Sequence, residues 1–349
     1  MDLSEYTLEA LQRELAGLGF APCHAARLLR FFYATGGEGT IGDSQLPRAL
    51  IEWLREGTAR RPLSQAARQV AVDGTTKLLL RLADGRTVES VLMPAHRADR
   101  AAGCISSQVG CAMGCDFCAT TKTGFERNLS AGEIVGQFLA LRREALAMDR
   151  RLQTIVFMGM GEPMLNLDNV LAAIDRMARN ELGALGWRQI TVSTVGIVPG
   201  IHALTASRLN VHLAISLHAP DDETRARLLP MGRRFLLRDI LEAADGHQAA
   251  TGRTVSIQYC LLRGVNDSLG QADDLASLLI GRRMHVNLLR YNPTGIGLRG
   301  AAYEATPDAI AEGFMMHLRS RGVVAHFRRP RGRDIDAACG QLRRRTEAV

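Results

Sequence analysis

From Gly103 onward the sequence alternates between short apolar runs and amphipathic stretches of helical period. The apolar runs lie at 154–158, 189–193, 211–217, 254–262 and 284–289, with a candidate first strand near 104–109. Helical stretches fall near 130–148, 168–179, 199–208, 222–229, 235–249 and 270–280, and a helix at 307–321 precedes a short strand at 323–327. Repeated β–α units predict a parallel sheet that is buried on both faces. We therefore expect an α/β protein with a partial (β/α)6 barrel.

The residues before Gly103 follow two other patterns. Leucines recur at helical spacing through residues 1–62, which predicts a small helical N-terminal domain over residues 1–65. Residues 66–100 alternate between apolar and polar side chains and contain two Asp-Gly pairs, Asp73-Gly74 and Asp84-Gly85. Such pairs form tight hairpin turns, so this segment is predicted to be a short β meander. The core domain is then expected over residues 101–343.

Three cysteines, Cys111, Cys115 and Cys118, lie in the run GCAMGCDFCATTKTGF. Their C-x3-C-x2-C spacing supplies one ligand too few for a closed tetrahedral zinc site. It fits a [4Fe–4S] cluster in which three irons take cysteine ligands and the fourth iron stays open. A structural zinc knuckle with a distant fourth ligand is the alternative.

Unusual polar and glycine-rich segments follow the predicted strands. Gly161 and Glu162 lie in GMGEPMLN, where glycine lets the backbone approach a ligand and the carboxylate can accept from a cationic amine. The C-terminal ends of barrel strands meet at one mouth, so these segments are expected to converge. Other candidate ligand-binding groups at strand ends, each also readable as a capping or turn residue, are Ser193, Ser216, Leu217, His218 and Asn292.

The seven cysteines are interpreted as reduced thiols. Their odd number, their clustering and the absence of a secretion signal indicate a cytoplasmic protein. No apolar run approaches the roughly 18 residues of a membrane span. Cys23 and Cys260 are expected to be buried small hydrophobic residues. Cys339 differs, because it lies in the polar segment RGRDIDAACGQL.

The chain carries a net charge of +7, which is compatible with a polyanionic partner. Nearly all of the basic residues are arginine, and codon usage alone can produce that bias. Four arginines flank the Cys339 segment, where they could hold phosphate or form a solvated tail: Arg328, Arg329, Arg331 and Arg333.

Ordered motifs over residues 68–343 resemble the RlmN/Cfr family of radical S-adenosylmethionine (radical SAM) RNA methyltransferases. The motifs are CISSQVGCAMGCDFCATTKTGFERNL, FMGMGEPMLN, SLHAP, YNP and RGRDIDAACGQL. The resemblance, which is closest to RlmN, implies a radical SAM barrel, a [4Fe–4S] cluster and SAM as cofactors, and methylation of adenosine C2 in 23S rRNA and tRNA. A Cfr-like enzyme that methylates C8, or a paralogue with another RNA target, is the nearest alternative. A non-catalytic zinc-bound RNA-binding module is an alternative of a different class.

The resemblance also implies a role for each of three further residues. Cys339 would be methylated by one SAM, and a 5′-deoxyadenosyl radical from a second SAM would convert that methyl group into a methylene radical that adds to the adenine. Glu89 would accept the ring proton, although from the sequence alone it is more simply a solvated strand residue. Cys104 would then attack the Cys339 sulfur and free the product through a transient disulfide. The expected partners are the RNA substrates and an electron donor such as flavodoxin, with no membrane and a monomeric protein.

Overall fold

The computed structural model describes residues 2–37, 46–56 and 63–342. Residue 343, the predicted end of the core domain, lies outside the described residues. Residue 1 and residues 38–45 and 57–62 of the predicted N-terminal domain also lie outside them. No helix of the described residues is long and apolar enough to cross a bilayer.

The strands of the described residues divide between two sheets. In chain order they are β1 (Leu63–Val70), β2 (Thr76–Leu82), β3 (Thr87–Pro94), β4 (Arg100–Cys104), β5 (Gln108–Gly110), β6 (Phe125–Asn128), β7 (Arg151–Phe157), β8 (Ile190–Thr194), β9 (His212–Ser216), β10 (Val255–Leu261), β11 (Met284–Arg290) and β12 (Ala325–Phe327). The large sheet has the order β1-β2-β3-β4-β7-β8-β9-β10-β11-β12, and β5 pairs with β6 in a separate hairpin. Strands β1 to β4 pair antiparallel, whereas β4 and β7 to β12 pair parallel.

Helices connect the parallel strands and cover the sheet. They are α1 (Leu8–Gly17), α2 (His24–Ala34), α3 (Arg48–Glu56), α4 (Ala119–Lys122), α5 (Ala131–Ala147), α6 (Leu167–Ala178), α7 (Val198–Ala206), α8 (Asp222–Leu228), α9 (Leu237–Thr251), α10 (Leu269–Leu279) and α11 (Asp308–Ser320). Consecutive residues Leu213, Ala214 and Ile215 of β9 are all fully buried, so both faces of this strand are covered. That pattern is typical of a parallel sheet between helical layers.

The N-terminal helical segment packs against two helices of the core. The Ser130 hydroxyl, which caps α5, donates to Glu5 Oε1 at 2.5 Å. Arg176 of α6 donates to the Ser4 carbonyl at 3.2 Å and lies 3.6 Å from the Glu5 carboxylate. These contacts hold the segment against the outer face of the core.

The structure confirms the predicted α/β fold, in which β4 and β7 to β11 are the six predicted parallel strands and β12 is the short strand that follows them. Two boundaries in the structure differ from the predicted ones. The first parallel strand ends at Cys104, earlier than the predicted span near 104–109, because residues 105–110 turn away into the loop and hairpin that carry the cysteine motif. The meander begins at Leu63, and β3 pairs with β4, so its strands extend the large sheet. The division into three domains stays a prediction.

Candidate active site

The three motif cysteines lie in a loop that runs from β5 to α4. Backbone contacts fold this loop: Cys111 N–H donates to the Gly124 carbonyl at 3.0 Å, and Cys118 N–H donates to the Cys115 carbonyl at 3.0 Å. Gly110 has a φ of +77°, and a Cβ at this position would lie 1.7 Å from the Gly124 oxygen, so the turn requires glycine. The loop is therefore a compact structure built around its cysteines.

The chemistry of these thiols fits an iron–sulfur cluster. Burial raises the pKa of Cys111 to about 12, and burial followed by the charges of the neighbouring thiols raises the pKa of Cys115 well above its usual range. Three clustered thiolates therefore need a cationic centre, which a bound metal supplies. Within the described residues, no three His, Cys, Asp or Glu side chains converge on one point as ligands of a single ion. A [4Fe–4S] cluster does not need ligands that converge on one point, because each cysteine binds a different iron.

The cysteine loop forms one wall of an open cavity at the C-terminal ends of the parallel strands. The sequence-predicted residues that line it are Cys111, Cys115, Cys118, Gly161, Glu162, Ser193, Ser216, His218 and Cys339. Cys260, predicted to be a buried hydrophobic residue, is buried but also lines this cavity. We refer to this space as the cluster cavity.

Glu162 is buried in the wall of the cluster cavity, with its carboxylate held by backbone groups. Its oxygens accept from Met164 N–H at 3.0 Å and from Val195 N–H at 2.8 Å. Burial raises the pKa of Glu162 to about 7, against the lowering effect of these hydrogen bonds. Gly161 has a φ of +99°, and a Cβ there would lie 2.6 Å from Gln108 Cβ, so glycine lets the turn close over that side chain. The arrangement places an oriented acceptor beside the cysteine loop.

The remaining predicted ligand-binding residues differ in their placement. Ser193 Oγ donates to the Phe157 carbonyl at 2.6 Å, which holds its side chain at the cavity wall. His218 accepts from Cys260 N–H at 2.9 Å through Nδ1, and burial, followed by the charge of Arg225, lowers the pKa of its imidazole to about 3. Leu217 is fully buried and lines no described cavity; its N–H donates to the Gln258 carbonyl at 3.0 Å.

Cys104 and Cys339 line a second cavity, which adjoins the cluster cavity. Asn292 faces this second space, and its Oδ1 accepts from Arg333 Nε at 3.0 Å. We refer to this second cavity as the thiol cavity. Residues shared by the two cavities are Met158, Leu289, Arg290, Arg328 and Cys339. Cys339 therefore stands at the junction, with access to both.

Burial, followed by the charge of Cys339, raises the pKa of Cys104 to about 12, and Arg328 opposes the rise. Arg328 also contacts the Met158 sulfur at 2.9 Å. Both cysteines are free thiols in this structure, as are the other five. Cys23 is exposed in front of α2, contrary to its predicted burial, because it lies in an exposed run, residues 21–23, that precedes the helix.

Hydrogen bonds on both sides hold the segment that carries Cys339. On one side, Ala119 N–H donates to the Gly340 carbonyl at 2.7 Å, and Thr120 Oγ1 donates to the Leu342 carbonyl at 2.7 Å. These contacts join the segment to α4, directly after the cysteine loop. The cluster ligands and Cys339 therefore belong to one connected structure.

On the other side, the β1–β2 turn holds the approach to Cys339. Asp73 accepts from Gly332 N–H at 3.3 Å, and Asp334 accepts from Val72 N–H at 3.0 Å. Lys77 Nζ donates to the Asp336 carbonyl at 3.4 Å. The predicted Asp73-Gly74 turn thus contributes to positioning the reactive segment.

Glu89 is a buried residue of β3, contrary to its simplest interpretation as a solvated strand residue. Its Oε1 lies 3.4 Å from Lys77 Nζ, and the Glu89 side chain is 1% exposed. It lies two residues from Val91, which pairs with Cys104 in the neighbouring strand. Glu89 lines neither of the two cavities, so it is near the thiols but behind their wall.

Two residues that the sequence patterns did not indicate hold the site together. Lys77 is the counter-charge of Glu89, and Lys122 donates to the Thr294 carbonyl at 2.6 Å, which joins α4 to the loop after β11. They are the only two lysines in the sequence. The occurrence of lysine at only two positions in an arginine-rich sequence was a signal that could have indicated them.

Asp116, between the second and third motif cysteines, was also overlooked. Its carboxylate is buried and accepts from Tyr303 OH at 2.7 Å and from Arg299 N–H at 2.9 Å. It therefore fastens the segment after β11 to the cysteine loop.

Comparisons with known proteins all indicate the same family. Residues 105–276 match the sequence model of the radical SAM superfamily. A protein of Opitutus terrae, named probable dual-specificity RNA methyltransferase RlmN 1, is 64% identical over 98% of this chain and 96% of its own length. A protein of Thermus thermophilus, named probable dual-specificity RNA methyltransferase RlmN, is 42% identical over 96% of this chain and 92% of its own length.

The fold has a close counterpart among solved structures. The crystal structure of a radical SAM methyltransferase from Sphaerobacter thermophilus superposes with a TM-score of 0.92 at 40% identity. The superposition covers 98% of this chain and 99% of that chain.

Proposed function

The chain belongs to the RlmN family of radical SAM RNA methyltransferases, and we propose that it methylates C2 of an adenosine in 23S rRNA and in tRNA. Membership of the superfamily confirms the two predicted cofactors, a [4Fe–4S] cluster and SAM. It also argues against the alternative of a non-catalytic zinc-bound module. The position methylated, the RNA targets and the residue roles that follow are proposals.

One observation carries the proposed mechanism: Cys339 lines both the cluster cavity and the thiol cavity. A thiol at this junction can receive a methyl group on the side where SAM binds. It can then present the carbon to an adenine of the RNA on the side where Cys104 lies. Adenine C2 is an electron-poor carbon and not a nucleophile, so transfer through a protein-bound carbon avoids direct attack on SAM.

The cofactors supply the methyl group and a carbon-centred radical, and the protein supplies the placement. Cys111, Cys115 and Cys118 would hold the cluster, and Glu162 would accept from the SAM ammonium next to it. Gly161 lets the Glu162 turn close over Gln108. Ser193, Ser216 and His218 offer polar groups along the same cavity wall.

Cys104 is proposed to release the product. Its thiolate attacks the Cys339 sulfur of the protein–RNA thioether, an S–S bond forms and the C–S bond breaks. The electron pair of the broken bond stays on the carbon, which takes up a proton to become the methyl group, while the two sulfurs are oxidised to a disulfide. Arg328, at the junction of the two cavities, lowers the pKa of the attacking thiol against the larger effect of burial.

Glu89 is proposed to accept the ring proton. The Lys77 ammonium supplies the counter-charge that a buried carboxylate needs. Lys77 also contacts the Asp336 carbonyl, three residues before Cys339, so a single side chain connects the proposed base to the methyl-carrying segment.

The arginines around the thiol cavity are proposed to bind RNA phosphate. Arg328, Arg329 and Arg331 line it, and Arg333 is held by Asn292. A target adenine must leave its stack to reach a cavity at the barrel mouth, as for other base-modifying enzymes. Phosphate contacts beside the cavity would hold the flanking backbone while the base enters. Asn292 lines the thiol cavity, and its role as a SAM ligand stays a prediction.

We also propose that the N-terminal helices contact RNA, that the protein is a monomer and that an electron donor such as flavodoxin reduces the cluster. The cytoplasmic location that the sequence predicts stays a proposal.

The test is nucleoside analysis by mass spectrometry after incubation with rRNA and tRNA offered separately. The proposal predicts 2-methyladenosine in both RNAs. The appearance of 8-methyladenosine would instead assign Cfr-like chemistry. Methylation of neither RNA would overturn the proposed targets.

A further inference from the structure

Arg225 of α8 is an unusual buried cation. Three lysine or arginine side chains are buried among the described residues: Lys77, Arg176 and Arg225. Lys77 is paired with Glu89 and Arg176 with Glu5. Arg225 is 0% exposed, and no described carboxylate forms an ion pair with it. A buried charge without a counter-charge is strongly destabilising, so its partner is expected to be a group that the chain does not itself supply.

The contacts of Arg225 are all backbone carbonyls. Its guanidinium donates to the Val195 carbonyl and, at 3.4 Å, to the Phe235 carbonyl. Its Nε has no hydrogen-bond partner. Carbonyl oxygens orient a guanidinium but leave its net charge uncompensated. The carboxylate of Asp222, on the same helix, acts on Arg225 through its charge alone, because it accepts from Leu237 N–H and forms no ion pair with the guanidinium.

Arg225 lies directly behind the wall of the cluster cavity. Asp116 N–H, in the cysteine loop, donates to the Leu228 carbonyl at the end of α8, at 3.0 Å. Val195, which accepts from Arg225, lines the cluster cavity. The helix, the loop and the cavity wall therefore hold the guanidinium next to the predicted cluster ligands.

We propose that Arg225 is a positioning residue whose buried positive charge raises the reduction potential of the [4Fe–4S] cluster. Three cysteine thiolates make the bound cluster anionic, and reduction adds a further negative charge. A fixed cation in a low-dielectric wall stabilises the reduced state more than the oxidised state. The cluster becomes easier to reduce, and the cluster becomes the counter-charge of the arginine. This inference rests on the cluster alone and not on which RNA position is methylated.

The test is an EPR-monitored redox titration of the full-length, anaerobically reconstituted protein without SAM. Arg225→Gln removes the charge but keeps donors for the two carbonyls, and Arg225→Met removes it with an unbranched apolar side chain. Arg225→Lys keeps the charge. Arg227→Gln is the matched control, because Arg227 is exposed two residues away on the same helix.

The neutral variants are expected to shift the equilibrium for cluster reduction about tenfold toward the oxidised state, which lowers the midpoint by about 59 mV for one electron. Arg225→Lys and Arg227→Gln should stay near the wild-type midpoint. If both neutral variants keep the wild-type midpoint, or if the lysine variant falls as far as they do, the charge is not the cause and the proposal is overturned.

A second readout measures the same coupling without redox chemistry. The increase in melting temperature on cluster insertion is compared between wild type and the two neutral variants, with iron and sulfide content measured in each. If the cluster is the counter-charge of Arg225, the increase is smaller in the neutral variants. An equal increase in all three proteins would contradict the inference.

Discussion

Lys77 and Glu89 form a buried ion pair between neighbouring strands, with Lys77 Nζ 3.4 Å from Glu89 Oε1. The same ammonium donates to the Asp336 carbonyl, at the entrance to the segment that carries Cys339. The Lys77 ammonium thus neutralises Glu89, the proposed proton acceptor, and anchors the segment of Cys339, the proposed methyl carrier. Glu89 and Cys339 are far apart in the sequence.

Replacement of Lys77 should therefore destabilise the protein. Lys77→Met leaves the Glu89 carboxylate buried without its ammonium, and the free energy of unfolding is expected to fall by about 3–5 kcal/mol. Urea denaturation measures the loss. The double variant Lys77→Met/Glu89→Leu should recover part of it, because no charge remains buried. Equal stability of the Lys77 variant and wild type would show that the ion pair contributes little.

Glu162→Gln should weaken SAM binding. The amide removes the charge that attracts the SAM ammonium. Its one oxygen can accept from only one of the two backbone donors, Met164 N–H and Val195 N–H, so one hydrogen bond is lost. Charge-assisted hydrogen bonds contribute enough that the Kd is expected to rise about tenfold or more. Equilibrium dialysis with the reconstituted protein measures it, and Ser193→Ala serves as a milder variant of the same wall. An unchanged Kd would remove Glu162 from the binding site.

Cys339→Ala should abolish RNA methylation and retain the cluster. Cys339 lies at the cavity junction but outside the C-x3-C-x2-C motif, so iron and sulfide content are expected to match wild type. Cys23→Ala is the control, because Cys23 is exposed and remote from both cavities. Residual methylation by the Cys339 variant would show that the methyl group does not pass through this sulfur.

Product release should accelerate as the pH rises. The pKa of Cys104 is raised to about 12 by burial and by Cys339, so only a small fraction is thiolate at neutral pH. Below that pKa the thiolate fraction grows about tenfold per pH unit, and single-turnover decay of the protein–RNA adduct should follow it. Arg328→Gln should slow the decay at every pH by removing the nearby cation. A decay rate that is independent of pH would place the slow step elsewhere.

Local sequence pattern was sufficient to predict much of this protein. Helical and strand periods located the six parallel strands, and the spacing of Cys111, Cys115 and Cys118 indicated the cluster loop. The loops after the parallel strands converge because these strands all run in the same direction, so their C-terminal ends lie at the same edge of the sheet.

Features that depend on tertiary packing were beyond the sequence. Glu89 looked like a solvated strand residue, and only the sheet shows that β3 is covered on the face that carries it. Leu217 shared a motif with Ser216 and His218, but its side chain points into the core. Arg225 is one of many arginines in the sequence, and its burial becomes visible only when α8 packs on the cysteine loop.

The central claim is that Cys339 carries the carbon to RNA and that Cys104 frees it. The most direct measurement uses the reconstituted Cys104→Ala variant, SAM, reductant and substrate RNA, followed by nuclease and protease digestion and tandem mass spectrometry. The account predicts a stable nucleotide adduct, joined through one carbon to the Cys339 sulfur. Normal turnover by this variant, or an adduct on any other residue, would contradict it.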